Sequence, residues 1–555
     1  MMLASPKIRK KLTLRVLLLT TVSVIFFCSW SVNGFTLLQN APKLSFQSSS
    51  ISYEPCTRTS LFSTTYDEEE KVKTFDEEID VSQLPLPPSN GMNIYRNIRD
   101  SVSYLINADR FVKSRSEQLG PIFLSYQFFK PIVYCGGQKN VQEFIAGTEL
   151  KARVVYPTVP DSFLELHTKW GTLNLDSNDP VFKESRVLFA DVLSNQEALK
   201  QYTRAADEEI EAFVIELQNR VKQNPEETIY LVPELKSLCL QIFSKIFSGK
   251  GLTKEQEQQF IDYNSALLSL SKQTTQFKKG KAALDSLKAE MLDRYHQLDD
   301  PSIPLDTPGK WYHDQIYGRE NFGNNDDRIG TGIVLFIWGA YVECASLMIN
   351  SIALMVTSDF ETIAKNIRIE IEARKSDNEN LSSSDPRFWS KGMSYTTGVL
   401  RETLRLEPPG SGVPRFSKED FALSGYRIPA ETAIVMEPRI GNNDPTLHPE
   451  PQQFEPMRWV STNDEHLPSS QCPFGGKALK NGVGSWFPGG FGAHKCPGVP
   501  LAELISKIFL TKVVTRFDSW QFSGDGLDKD GKIDYVTIPV KIPPDNFGLT
   551  FKDKD

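Results

Sequence analysis

The 555 residues give room for a large core, and a composition of 40% hydrophobic and 24% charged residues is that of an ordinary globular protein. A formal net charge of −8 offers no basic footprint, which sets nucleic-acid binding aside. Seven widely spaced cysteines without a CxxC pair argue against a disulfide framework or a structural zinc site, and the six histidines form no HExxH spacing.

The first 34 residues read as a targeting segment. Lys7, Arg9, Lys10, Lys11 and Arg15 make a basic start, "VLLLTTVSVIFFCSW" (16–30) an apolar run, and "SVNG" the small residues that a signal peptidase accepts. An uncleaved membrane anchor is the other reading, because Leu12 to Trp30 reaches across a bilayer at about 1.5 Å per residue. Both readings begin at the endoplasmic reticulum. Residues 35–66 are rich in Ser and Thr with one acid, Glu54, a composition shared by plastid transit peptides and disordered spacers. After the acidic run "YDEEEKVKTFDEEID" (66–80), the prolines of "LPLPPSNG" (84–91) mark a linker. Residues 35–84 are therefore read as linker and 85–555 as one folded domain.

Within that domain, Asn195 to Gln223 and Lys254 to Leu298 have helical patterning, and "PIVYC" (131–135) and "TAIVMEP" (432–438) read as short strands, so the fold class is mostly α with minor β. The stretch "GIVLFIWGAYVECASLMINSIALMV" (332–356) is apolar on nearly every face, with Glu343 its only charge. Its small and polar residues favour a buried core helix over a membrane span. A carboxylate inside such a helix is costly unless it is paired or used.

Further on, "GVLRETLRLEPP" (398–409) sets Glu402 and Arg405 three apart on one helical face before two prolines end the helix. Next comes "SGYRIPAETAIVMEPRIGNNDPTLHPEPQQFEPMRW" (424–459), and then "SWFPGGFGAHKCPGVPLAE" (485–503), where Cys496 sits among glycines at the mouth of a helix. Glycines let backbone amides reach a sulfur, and a following helix N-terminus stabilises a thiolate. If this chain holds a metal, Cys496 is the candidate ligand.

This order of motifs resembles the cytochrome P450 family, motif for motif over 398–505 and by general pattern over 85–555. The resemblance implies the fold of that family in a single large domain, and a heme b (iron protoporphyrin IX) whose iron is bound by the Cys496 thiolate within F-x-x-G-x-[RH]-x-C-x-G. Gly492, His494, Cys496 and Gly498 match that pattern in register, while Gly489 stands in the aromatic position, flanked by Phe487 and Phe491. By the same resemblance His494, Arg415 and Arg186 bind heme propionates, with Phe182 replacing the Trp of a WxxxR segment. Glu402, Arg405 and Arg458 form a structural ion-pair network.

The apolar helix matches the family's distal helix, [AG]-G-x-[DE]-T-[TS], as Ala340-Tyr341-Val342-Glu343-Cys344-Ala345. In a monooxygenase the acid and alcohol deliver protons that allow dioxygen to be split. Here Glu343 keeps the acid, and Cys344, a weak donor, replaces the alcohol. Both are taken as the catalytic pair, with helix packing as the other reading of Cys344.

The implied activity is insertion of one oxygen atom from O2 into a C–H bond of a lipophilic small molecule such as an isoprenoid, a fatty acyl chain or a secondary metabolite. Successive oxidation of a methyl to a carboxylate is within the family's chemistry. One diatom branch of the family serves a toxin pathway of the domoic-acid type, and no residue here selects it. Electrons are expected from an external donor, a NADPH–P450 reductase or a ferredoxin, with Lys477, Lys480 and Lys495 as candidate contacts. The expected location is membrane-associated, at the endoplasmic reticulum or in a plastid reached by signal plus transit peptide. An electron-independent hydroperoxide isomerase or lyase of the same fold and a non-catalytic heme-binding protein are the alternatives.

Overall fold

The computed structural model describes residues 80–554 apart from 146–154, 157–160, 268, 270, 318, 320–321, 323–324, 378–380, 391, 411, 461–487, 491, 524–525, 529–530 and 538–539. The targeting segment over 1–34, the Ser/Thr-rich stretch and the acidic run as far as residue 79 lie outside the described residues, as do Lys477, Lys480, Phe487 and Phe491. The chain divides into two compact units, Met1–Leu84 and Pro85–Asp555. The described part of the first is one 3-10 turn, Val81–Gln83, whose N-cap Asp80 accepts from the Ser82 amide.

In the second unit, helices α1 (Ile94–Ile106) and α2 (Ala108–Leu119) start at Asn93 and Asn107, whose side-chain oxygens accept amides of the first turn. Strands β1 (Ile122–Gln127) and β2 (Lys130–Cys135) form a hairpin. The remaining strands are β3 (Val155–Tyr156), β4 (Ile229–Tyr230), β5 (Val413–Ser417), β6 (Phe421–Leu423), β7 (Tyr426–Ile428), β8 (Ala433–Met436), β9 (Phe517–Phe522) and β10 (Gly548–Asp553). They build sheets ordered β1-β2-β8-β5-β3, β4-β10-β9 and β6-β7. The two strands read from "PIVYC" and "TAIVMEP" are thus direct neighbours, parallel with Ile132 opposite Ala433.

The helical body contains α3 (Pro180–Ser194), α4 (Gln196–Gln223) and α5 (Leu231–Ser248). The pattern expected to run from Lys254 to Leu298 is two helices, α6 (Lys254–Leu267) and α7 (Thr275–His296). The break falls at a Ser/Thr-rich stretch, where the Thr274 hydroxyl accepts the Phe277 amide and caps α7. Short hydroxyl side chains that compete for backbone bonds end one helix and begin the next.

The apolar helix α8 (Asp326–Val356) starts six residues earlier than its apolar core, capped by Asn325. It is long and apolar enough to cross a membrane, yet it is packed in the core against α5 and α7. Its polar residues are satisfied there: Ser346 Oγ and Asn350 Nδ2 donate to the Lys541 carbonyl at 2.7 and 3.0 Å. Helices α9 (Phe360–Asp377), α10 (Ser394–Leu406) and α11 (Val499–Arg516) also belong to the body, with several shorter helices beside them. One continuous apolar cluster joins α4, α5, α8, α10 and α11, and smaller clusters lie under the five-stranded sheet.

Candidate active site

Helix α10 delivers Glu402 and Arg405 to a buried polar centre. Arg405 Nη2 and Nε donate to the two Glu402 oxygens at 2.7 and 2.9 Å, and Arg458 Nε donates at 3.1 Å. The Trp459 indole N–H adds a further bond at 2.9 Å. Both guanidinium groups spend their other donors on backbone carbonyls. Arg405 reaches those of Asn442, Pro451 and Gln453, and Arg458 those of Pro449 and Glu450. The segment from Asn442 to Trp459 has little regular structure of its own and is held by this network. Burial raises the Glu402 carboxyl, but the bonds and charge of Arg405 outweigh it, and the group stays below the usual carboxylate range. Trp459 lies in the segment that the resemblance ties to this network through Arg458, and its indole bond to Glu402 is a further member that residue type at 459 does not indicate.

Cys496 lies on the loop that feeds α11. Its amide donates to the Gly489 carbonyl at 2.7 Å, and the amides of Gly498 and Val499 donate to its sulfur. Gly490 and Gly492 take φ of 73° and 65°, the left-handed region that suits glycine, and so fold the loop back under the sulfur. A β-carbon on Gly489 would lie 2.5 Å from Val499 Cγ2, so in this loop the valine takes space that the family pattern gives to an aromatic. Burial pushes the Cys496 thiol up, partly countered by the two amides and the Arg186 guanidinium. The cysteine is enclosed by protein yet has accessible surface, so it faces an interior cavity.

Glu343 faces the same cavity. It is the exposed residue in a buried part of α8, one turn after Gly339, where an added β-carbon meets nothing within 4 Å. Burial raises its carboxyl to about 7, and its charge acts on the Cys496 sulfur, so acid and thiol stand in electrostatic reach across the cavity. Cys344 turns to the other side of the helix. Its Sγ lies 3.8 Å from Ser506 Oγ and hydrogen-bonds with Cys239, fully buried. Successive helix residues point about 100° apart, so an adjacent acid and thiol cannot both line one narrow stripe. The expectation of a catalytic Glu343–Cys344 pair therefore gives way to Glu343 on the cavity and Cys344 in the core.

One wall of the cavity is cationic. His494 is pushed down to about 4 by burial and then by the positive charges of Arg415 and Arg186. All three expected propionate contacts are thus within mutual reach, although they come from β5, α3 and the cysteine loop. Arg415 is buried and donates to the Pro414 carbonyl. Phe182, one turn before Arg186 on α3, packs its ring 4.4 Å from the His494 ring. Of the candidate lysines, Lys495 is described and is exposed.

These residues fit a heme. A thiol with donated amides is a soft ligand for iron, two arginines and a histidine suit two carboxylates, and a glycine-lined helix carrying one acid faces the sulfur.

A family model described as cytochrome P450 matches residues 105–542. Among curated relatives, cytochrome P450 26A1 of Xenopus laevis is 22% identical over 497 residues, covering 84% of this chain and 90% of that protein. Putative cytochrome P450 120 of Synechocystis is 24% identical over 487 residues, covering 84% and 96%. Among solved structures, the retinoic acid bound cyanobacterial CYP120A1 matches with a TM-score of 0.68 at 21% identity, over 85% of this chain and 100% of that one.

Proposed function

The chain belongs to the cytochrome P450 family of heme-iron oxidoreductases, typically monooxygenases, and from that premise we propose that it is a membrane-associated heme b monooxygenase acting on an isoprenoid, a fatty acyl chain or a secondary metabolite built from one. The observation that carries the reading is the opposition of Glu343 and the amide-held Cys496 sulfur across one cavity. When bound, heme supplies the activation of dioxygen. Cys496 would hold the iron as a thiolate, whose negative charge the amides of Gly498 and Val499 would stabilise. Arg415 and Arg186 would hold the propionates as charges, whereas His494, neutral near pH 7, would serve as a hydrogen-bond donor.

Glu343 is the proton carrier at the site. A carboxyl raised to about 7 is divided between its two forms at neutral pH and can both give and take a proton. Gly339 and Ala340, which share its stripe, bear no hydroxyl, so the relay runs through the carboxylate alone or through water beside it. A NADPH–P450 reductase or a ferredoxin supplies the electrons, and Lys495 lies next to the cysteine it must approach. The apolar run over 16–30 supports membrane attachment at the endoplasmic reticulum, or in a plastid if residues 35–66 act as a transit peptide.

The missing hydroxyl also favours a second reading, an isomerase or lyase that takes a lipid hydroperoxide without electrons. Substrate-dependent NADPH consumption with a reductase or ferredoxin marks the first reading, and turnover of hydroperoxide with neither marks the second. A purely heme-binding protein would turn over neither. The central test is the reduced, carbon-monoxide-bound spectrum. A thiolate-ligated heme gives a Soret band far to the red of a histidine-ligated one, and survival of that band in Cys496→Ala would overturn the assignment.

A further inference from the structure

Helix α3 has two sides with different work. Phe182 and Arg186, one turn apart, share the side that meets the cysteine loop: the Phe182 ring packs on His494, and the Arg186 charge acts on both His494 and Cys496. Glu184 and Asp191, two turns apart, share the opposite side.

Each carboxylate on that far side is held by an arginine from the segment that leads into α8. Arg328 Nη1 donates to Glu184 Oε2 at 3.0 Å, and Arg319 Nη2 donates to Asp191 Oδ2. Arg319 is fixed by a second bond, from its Nε to the Gln315 carbonyl at 2.8 Å. Arg328 is fixed by aromatic rings. Its guanidinium stands 3.4 Å over the Phe322 ring and 5.1 Å from the Trp170 ring, and the Trp170 indole N–H donates to Asp327, the residue before the arginine, at 2.6 Å.

The two grips are unequal. The Arg328 side chain is 4% exposed, whereas those of Arg319 and Asp191 are 27% and 46% exposed. Water screens the outer pair, so Arg328 carries most of the hold. A helix held on one side resists rolling about its axis. Any roll of α3 would swing the side chains on its other side, so whatever fixes Glu184 also sets where Arg186 points.

We infer that Arg328, with Arg319 as an outer grip, is a positioning residue for the heme: held against Glu184, it fixes the rotation of α3 and so keeps Arg186 on the propionate side of the site. The inference rests on the reading of Arg186 as a propionate contact, and one experiment separates the two. Heme transfer from the loaded full chain to apomyoglobin is timed for Arg186→Ala, Arg328→Ala, Glu184→Gln, and Arg186→Ala combined with each of the other two. Arg328→Ala and Glu184→Gln are each expected to speed release severalfold, and Arg319→Ala by less. Once Arg186 is gone its placement no longer matters, so either second substitution should change the rate of Arg186→Ala little. A merely structural grip would speed release by the same factor in both backgrounds. That result, or parental rates in both single variants, would overturn the proposal. Glu184→Gln, made at a partly open position, carries the comparison where Arg328→Ala yields too little folded protein. A parental rate in Arg186→Ala would instead refute the propionate contact itself, and the positioning role would fall with it.

Discussion

Val499 Cγ2 lies 2.5 Å from the point where a β-carbon on Gly489 would stand, and both residues bracket Cys496, to whose amide the Gly489 carbonyl is bonded at 2.7 Å. The missing aromatic and the valine are therefore one packing solution. Gly489→Phe is expected to overpack the loop at a cost of about 1–3 kcal/mol and to broaden or abolish the red-shifted Soret band. Adding Val499→Gly frees that space and restores part of both. Spectra and thermal melts of the two variants check this, and a Gly489→Phe protein identical to the parent would refute the pairing.

Glu343 and Cys344 are adjacent in sequence but should differ sharply in effect. Glu343→Gln is expected to lower substrate oxidation by about 10²-fold or more, the usual scale for loss of a general acid, while NADPH consumption continues unproductively. Cys344→Ala, a core substitution among Cys239, Met348 and Ser506, should cost about 1 kcal/mol and leave turnover within severalfold of the parent. Coupling efficiency measured as product formed per NADPH separates the two.

The pH profile follows from the same carboxyl. Burial lifts Glu343 from 4.5 to about 7, so its proton is held more firmly in the folded chain than in the unfolded one. Its contribution to stability is fully present below 4.5 and is lost as pH rises through about 7. Turnover that needs the protonated carboxyl should fall over the same range above neutrality. Glu343→Gln removes this limb of the profile; a retained limb would assign it to another group.

The buried network around Glu402 is unforgiving. Glu402→Gln leaves the Arg405 and Arg458 guanidinium groups without their counter-charge in a dry interior, a loss of about 3–5 kcal/mol against a total stability on the order of 5–15 kcal/mol. Little soluble, heme-loaded protein should accumulate. Because the Glu402 carboxyl is held below its usual range, the parent should also weaken in acid, as the pH falls through that lowered value.

Arg415 is buried and Arg186 partly open, so they should differ in heme retention. Loss of a charged hydrogen bond is worth about 1.5–3 kcal/mol, or roughly 10–100-fold. Arg415→Ala should speed heme transfer to apomyoglobin by that order and Arg186→Ala by less, since water screens it. Equal release rates from both variants and the parent would remove them from the propionate site.

Much of the site was legible in the chain itself. Neither the glycines before Cys496 nor the spacing of three between Glu402 and Arg405 marks a site alone, and it is their order along the chain, with Arg458 between them and the cysteine, that makes the candidate site readable. The strands at 131–135 and 432–438, and the long apolar helix, were readable from local pattern. The continuous helix expected over 254–298 was not, because hydroxyl side chains near Thr274 capped a new start. The partly buried ion-pair cluster of Asp109, Glu407, Arg439 and Lys541 left no local trace either, since its members come from distant parts of the chain.

The sequence by itself determined the order of the motifs and the residue types at the candidate ligand and distal positions, Cys496 and Glu343, and their roles follow from the resemblance that this order carries. The tertiary structure alone decided which residues face the cavity. Helical rotation turned Glu343 inward and Cys344 into the core, and the return of α11 beneath the loop gave Val499 the space beside Gly489. Packing between α1 and the hairpin likewise buried the polar side of α1 and left its apolar side outward, a reversal that periodicity cannot reveal because it is the same for either side.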